Sequence, residues 1–284
     1  MLTRRAIDPL IERALQEDLA SGDLTSEACV PVDARASAVA VAKQPLIACG
    51  GLVFKRAFEL VDSDTKVDLC VADGDAIEDR SEMWRVFGRA RSVLMAERVA
   101  LNFTQRMCGI ASLARKYVAA LPDGARTRVS DTRKTTPGLR SLERYAVRVG
   151  GAHNHRDNLG SAVMIKDNHI VAAGSLRDAV INAQQYAPHS TRIEVEVATL
   201  EQFDEAVALG ADIIMLDNMD NDQIREALSR VDRDQRLPII EASGGITLER
   251  IGELATIGVD VISVGALTHS APAADISLEF AIDG

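Results

Sequence analysis

From about residue 110 onward the chain alternates short apolar runs with longer amphipathic ones. The pairs are RVSDT with LRSLERYAVRV, AVMIK with SLRDAVINAQQYA, and RIEVEV with TLEQFDEAVALG. DIIMLD with NDQIREALSRV and LPIIEAS with TLERIGELATIG follow, and DVISVGA closes the series. Strands alternating with helices of this length predict βαβ units and a parallel sheet. Gly210 and Gly258 fall where helices should end, and Thr199 and Thr247 where they should begin. Before residue 110 no such period exists. Helical spacing covers Pro9–Glu17 and Leu52–Leu60, strand-like runs cover Ala36–Lys43 and Thr65–Val71, and VADGDAI and EDRSE read as turns. A long helix is predicted over Ala90–Met107, with Val93, Leu94, Val99, Leu101 and Phe103 on its apolar face. The first part therefore reads as an α+β unit with an antiparallel sheet.

The ends of the predicted parallel strands carry Lys166, Glu196, Asp217, Ser243 and Gly265, preceded by Arg133. One functional group per βα unit fits a barrel whose active site is assembled from strand ends. An open doubly wound sheet would also place ligands there, but no GxGxxG opens a helix after the first strand. The fold class is accordingly α/β, with an incomplete (β/α) barrel and an N-terminal α+β sandwich. The expected boundaries are 1–110 for the sandwich and 111–269 for the barrel, with 270–284 packing back on the sandwich.

Charge sharpens this picture. The 284 residues carry a formal net charge of −10, which argues against general nucleic-acid binding. Yet Arg126 to Lys166 holds nine Lys/Arg against three acids, a local +6. Many of these cations fall at strand ends and in a Gly-rich loop, which favours an anion pocket over a solvated helix face. No apolar run is long enough for a bilayer, and the acid-containing N-terminus lacks a signal-peptide core, so a cytoplasmic protein is expected. Cys29, Cys49, Cys70 and Cys108 form no CxxC pair and no zinc spacing with histidine, and are expected to be reduced and mostly buried.

Five motifs could carry chemistry. DTRKTTPGLR (131–140) offers the planar fork of Arg133, the point charge of Lys134 and the hydroxyl of Thr132 to an anion. GGAHNHRDNL (150–159) places His155 and Arg156 after two glycines, His155 being a better candidate than His153; the HNH triplet lacks a third metal ligand at clear spacing. MIKDNH ends a strand with Lys166, either a Schiff-base nucleophile or an electrostatic clamp. Glu196 and Asp217 could hold ribose hydroxyls or Mg2+, with Glu194 a rival deeper in the strand. EASGGI and SVGAL leave backbone N–H groups free for a phosphate.

Together, DTRKTTPGLR, YAVRVGGAHNHRDNLGSAVMIKDNH, EVEV, IIMLDN, EASGGI and ISVGAL resemble the quinolinate phosphoribosyltransferases in order and spacing. EDLASGDLTSE and AERVALNFTQRMCGIAS extend the resemblance over nearly the whole chain. It implies a type II phosphoribosyltransferase fold and a homodimer with shared active sites. It implies a decarboxylating pentosyltransferase that converts quinolinate and phosphoribosyl pyrophosphate, with Mg2+ and no organic cofactor, to nicotinate mononucleotide, CO2 and pyrophosphate in NAD biosynthesis. By motif, Arg98 would reach the partner's site. Arg133, His155, Arg156 and Lys166 would bind the quinolinate carboxylates, with Lys134 nearby, and Lys134 and Lys166 would also touch the pyrophosphate side. Glu196 and Asp217 would hold ribose and metal, and Ser243, Gly244, Gly245, Val264, Gly265 and Ala266 the 5′-phosphate. Ala152 and Asn158 depart from the usual loop pattern but carry none of the required charge. Three other readings stay open: a ModD-like homologue associated with molybdenum transport operons, a Schiff-base aldolase built on Lys166, and a non-catalytic phosphometabolite-binding regulator.

Overall fold

The structure is a computed structural model that describes residues 2–232 and 238–282. Leu237, which opens the expected LPIIEAS strand, and the last two residues of the 270–284 segment lie outside the described residues. The chain divides into two compact units. The first is Met1–Arg115, Thr135–Gly151 and Ala266–Gly284; the second is Lys116–Lys134 and Ala152–Gly265.

In the first unit, α1 (Arg4–Asp18) and α2 (Leu24–Cys29) lead to β1 (Arg35–Ala42), β2 (Leu46–Ile47) and α3 (Gly51–Val61). There follow β3 (Lys66–Leu69), β4 (Ala76–Ile77), β5 (Glu82–Arg89) and α4 (Ala90–Ala119). Helix α1 begins earlier than the spacing around Pro9 predicts, because Ile7, Ile11 and Leu15 recur on one face and are all buried. The EDRSE segment turns at Asp79–Arg80 as expected and leads into β5, whose burial alternates along WRVFGR as a half-buried strand requires. Phe54 of α3 packs on Phe58 and Trp84 with ring centroids 4.9 and 4.8 Å apart, in the core of this unit.

Helix α4 runs past Met107, where the expected helix ended, and includes Gly109. Gly109 is not a helix end. A Cβ there would stand 1.9 Å from the Pro272 carbonyl oxygen, so glycine lets a second backbone cross the helix. The same unit holds α5 (Arg140–Val149), α11 (Ala266–His269) and β12 (Ile276–Ile282). Strand β12 pairs antiparallel with β1 from Ala36↔Ile282 to Ala42↔Ile276, and the sheet order is β12-β1-β5-β3.

In the second unit the βα alternation forms as expected: β6 (Arg128–Ser130), β7 (Val163–Ile165), α6 (Asp167–Ala173), α7 (Leu176–Tyr186), β8 (Ile193–Val197) and α8 (Leu200–Ala208). Then come β9 (Ile213–Asp217), α9 (Asn221–Ser229), β10 (Ile239–Ser243), α10 (Ile251–Ile257) and β11 (Val261–Ser263). Helix α6 was not anticipated. Thr199 caps α8 by accepting from the Gln202 N–H, and Gly258 ends α10 in the left-handed region.

The parallel sheet has the order β6-β11-β10-β9-β8-β7. Its first strand lies beside its last, the closure a barrel needs, and the seam stays open between β6 and β7. One bridge, Ser130↔His153, enters that seam: the His153 N–H donates to Val129 O at 2.8 Å and the Asp131 N–H to His153 O at 3.0 Å. The NHR loop thus stands in part where a ladder strand would, and the barrel is incomplete.

All four cysteines are free; Cys49 and Cys108 are buried, but Cys29 and Cys70 are exposed, against the expectation of mostly buried thiols. Among the described residues no helix is long and apolar enough to cross a membrane.

Candidate active site

The strand ends of the second unit surround a cavity of about 560 Å3. Its walls bring together Thr132, Arg133, Lys134, His155, Arg156, Lys166, Glu196, Asp217, Ser243, Gly244 and Gly245, eleven of the fifteen residues singled out from sequence. The strands explain the convergence. Glu196 and Asp217 are the fourth and fifth residues of β8 and β9, Ser243 ends β10, and Lys166 directly follows β7.

The cations are held differently from one another. Lys166 is ion-paired with Glu196, and its own N–H donates to His169 Nδ1 at 3.0 Å. Arg156 donates from Nη1 to Ala162 O at 3.0 Å. Burial lowers its pKa from the usual guanidinium value, and the neighbouring Arg133 charge lowers it further. Arg133 Nε is buried with no hydrogen-bond partner, a donor that costs free energy until an acceptor arrives. The loop that carries Arg156 is set by Asp131, which is fully buried. Its Oδ1 accepts the His155 N–H at 2.7 Å and its Oδ2 the Asn154 side-chain amide at 2.6 Å.

His155 reaches inward. Its Nε2 lies 3.3 Å from Glu194 Oε1 and 3.5 Å from Glu241 Oε1, and its Nδ1 accepts the Arg156 N–H at 2.8 Å. Burial alone would lower the imidazole pKa, but the hydrogen bonds to the two carboxylates outweigh it and raise it to about 10. The Arg156 N–H at Nδ1 favours the ring protonated on Nε2 alone and so opposes part of that rise. Burial also raises the Glu194 pKa. His155, Glu194 and Glu241 bring one potential ligand atom each within 4.8 Å of one another; the sequence had placed metal ligation at Glu196 and Asp217 instead.

Gly244 and Gly245 both have positive φ, 88° and 57°. A Cβ on Gly244 would lie 2.3 Å from Asn218 Oδ1 and 2.8 Å from Asn218 N. Asn218, itself at φ 56°, donates its N–H to Ser243 O at 2.9 Å and its side-chain amide to Asp217 Oδ2 at 2.8 Å. It lines the cavity with Met164 and Met215. The sequence reading missed all three, although asparagine directly after a strand is a usual signal for the left-handed conformation.

Four expected residues do not line this cavity. The Val264 N–H is committed to Ser130 O at 2.9 Å within the sheet, so it is not a free phosphate donor. Gly265 directly follows it, and Ala266 opens α11 in the first unit. Arg98 lies on α4 and lines a cavity of about 190 Å3 in the first unit, with Glu17, Asp18, Asn102 and Arg106. That cavity offers mixed charges and no glycine-lined cradle.

Comparison with known proteins agrees with the geometry. The sequence matches the family models "Quinolinate phosphoribosyl transferase, N-terminal domain" over residues 23–108 and "Quinolinate phosphoribosyl transferase, C-terminal domain" over residues 110–279. A probable nicotinate-nucleotide pyrophosphorylase [carboxylating] of Bacillus subtilis is 43% identical over 270 residues, covering 95% of this chain and 92% of its own. The nicotinate-nucleotide pyrophosphorylase [carboxylating] of Rattus norvegicus is 38% identical, covering 100% of this chain and 94% of its own. The crystal structure of NadC from Streptococcus pyogenes superposes with a TM-score of 0.93 at 42% identity, covering 100% of this chain and 99% of that one. A cavity of paired cations, two acids and a glycine turn, on a chain matched from end to end, leaves one assignment: the protein belongs to the quinolinate phosphoribosyltransferase family.

Proposed function

We propose that this chain transfers the phosphoribosyl group of phosphoribosyl pyrophosphate to quinolinate with loss of CO2, a step of NAD biosynthesis. The carrying observation is that Arg133, Lys134, Arg156 and Lys166 share one cavity with Glu196, Asp217 and the Ser243–Gly245 turn. Quinolinate is a dianion and the sugar donor a polyanion. In an acidic protein only a local excess of fixed cations draws both in.

Each part then has a role. Arg133 and Arg156 take the quinolinate carboxylates, Lys166 and Lys134 stand between them and the pyrophosphate side, and Met164 and Met215 give the ring an apolar wall. Ser243, Gly244 and Gly245 receive the 5′-phosphate. The bond from ribose C1 to the pyrophosphate oxygen breaks, its electron pair leaving with pyrophosphate, and the quinolinate nitrogen forms the new bond to C1. Glu196 and Asp217 stabilise the cationic character that builds on the ribose. With its nitrogen ribosylated, the ring accepts the electron pair released as the C2 carboxylate departs as CO2, and a proton takes its place at C2. No organic cofactor is required. The cavity's fixed groups mainly orient the two substrates.

The carboxylates of Glu196 and Asp217 are the hard oxygen donors Mg2+ prefers, and they fit the ion expected with phosphoribosyl pyrophosphate. Held by Glu196 and Asp217, Mg2+ would supply positive charge to offset that of the pyrophosphate. The active assembly is a cytoplasmic homodimer in which Arg98 serves the partner's site.

Incubation with quinolinate, phosphoribosyl pyrophosphate and Mg2+ tests the proposal: nicotinate mononucleotide should accumulate. Binding of phosphoribosyl pyrophosphate without turnover would point to a regulator, and a borohydride-trapped adduct on Lys166 with a carbonyl substrate to an aldolase.

A further inference from the structure

His155 separates two cavities of the second unit. The first is the cavity at the strand ends. The second, of about 640 Å3, is lined by Arg128, Ile213 and Val261, the first residues of β6, β9 and β11. His155 and Arg156 line both. The imidazole therefore lies in the interior layer of the barrel, below the ring of charged strand ends.

That layer is polar where a barrel interior is ordinarily filled by branched apolar side chains. Glu194 on β8 and Glu241 on β10 are 2% and 3% exposed. Ser263 on β11 donates its hydroxyl to Glu241 Oε1. Neither glutamate lines the upper cavity, so neither is placed to touch a substrate there. Two buried carboxylates are costly unless they are paired, and both are paired with one atom, His155 Nε2. The other ring nitrogen accepts the Arg156 N–H. The chain of contacts runs from β11 and β10, through the ring, to the backbone of an arginine that lines the upper cavity.

We propose that Glu194 and Glu241 are positioning residues of the transferase site: by holding His155 at Nε2 they fix the ring whose Nδ1 fixes Arg156, and so set the geometry that receives a quinolinate carboxylate. The inference rests on reading the upper cavity as the quinolinate site. It makes His155 a mount for Arg156, held at Nε2 by the two glutamates beneath it. Charged groups face His155 from three sides: Glu194 on β8, Glu241 on β10, and Asp131, which follows β6 and holds the His155 amide.

The test is steady-state kinetics on the full-length Glu241→Gln protein, with quinolinate and phosphoribosyl pyrophosphate varied separately. Glutamine keeps the shape and one acceptor while removing the charge. KM for quinolinate should rise about tenfold while KM for phosphoribosyl pyrophosphate moves by less than about twofold, because only one substrate depends on Arg156. If Glu241→Gln does not fold, Ser263→Ala removes only the hydroxyl that fixes Glu241, and should give the same selective rise to a smaller extent. An unchanged KM for quinolinate, or equal movement of both KM values, would overturn the proposal. So would Zn2+ binding that Glu241→Gln abolishes, since the three residues would then be ligands. A wild-type protein without quinolinate turnover sinks the functional reading itself; an active wild type with an indifferent Glu241→Gln sinks only this inference.

Discussion

Arg133 and Arg156 stand close enough that the charge of one lowers the pKa of the other, in a cavity where Arg133 Nε has no partner. Like charges held this close together cost free energy in the folded state. That cost is recovered when a dianion enters, which makes the pair a binding device and not a stabilising one. Arg133→Ala and Lys166→Ala should therefore keep the fold while kcat/KM drops by about a hundredfold or more. Circular dichroism and steady-state rates on the same preparations check this. Wild-type kcat/KM in either variant would refute its role.

The Gly244–Asn218 approach gives a second prediction. Gly244→Ala should destabilise the protein by about 1–3 kcal/mol, from the positive φ and the contact with Asn218 together. Because the turn supplies phosphate donors, KM for phosphoribosyl pyrophosphate should rise more than KM for quinolinate. Urea unfolding with substrate-resolved kinetics reads both effects.

Gly109→Ala isolates stability from chemistry. The added carbon meets the Pro272 carbonyl in the first unit, so the melting temperature should fall, while the substrate KM values of the fraction that stays folded should hold. A variant as stable as wild type would mean that Pro272 moves aside at no cost.

The proposed shared site predicts complementation. Arg98→Ala and Lys166→Ala proteins, each inactive alone, should regain part of the activity when mixed and allowed to exchange subunits. No recovery in verified mixed dimers would place Arg98 outside its partner's chemistry.

How much of this was legible beforehand follows the range of the interactions involved. The βα alternation and the charges on strand ends are local signals, and they located Lys166, Glu196, Asp217 and Ser243. Asn218 was passed over because its importance comes from Gly244 on the neighbouring strand, a contact between residues distant in sequence. Glu194 was weighed only as a rival to Glu196. Its pairing with His155 depends on the loop after α5 entering the seam beside β6, which no periodicity announces. The expected helix over Ala90–Met107 fell short because nothing local shows that Gly109 lies inside a helix to let the Pro272 backbone cross it.

The central claim is that this cavity couples phosphoribosyl transfer to decarboxylation. Quinolinate carrying an isotopic label in its C2 carboxylate tests it most directly. The account predicts labelled CO2 only when phosphoribosyl pyrophosphate is present, mole for mole with nicotinate mononucleotide. Label released without the sugar donor, or a ribosylated product that keeps its label, would contradict it.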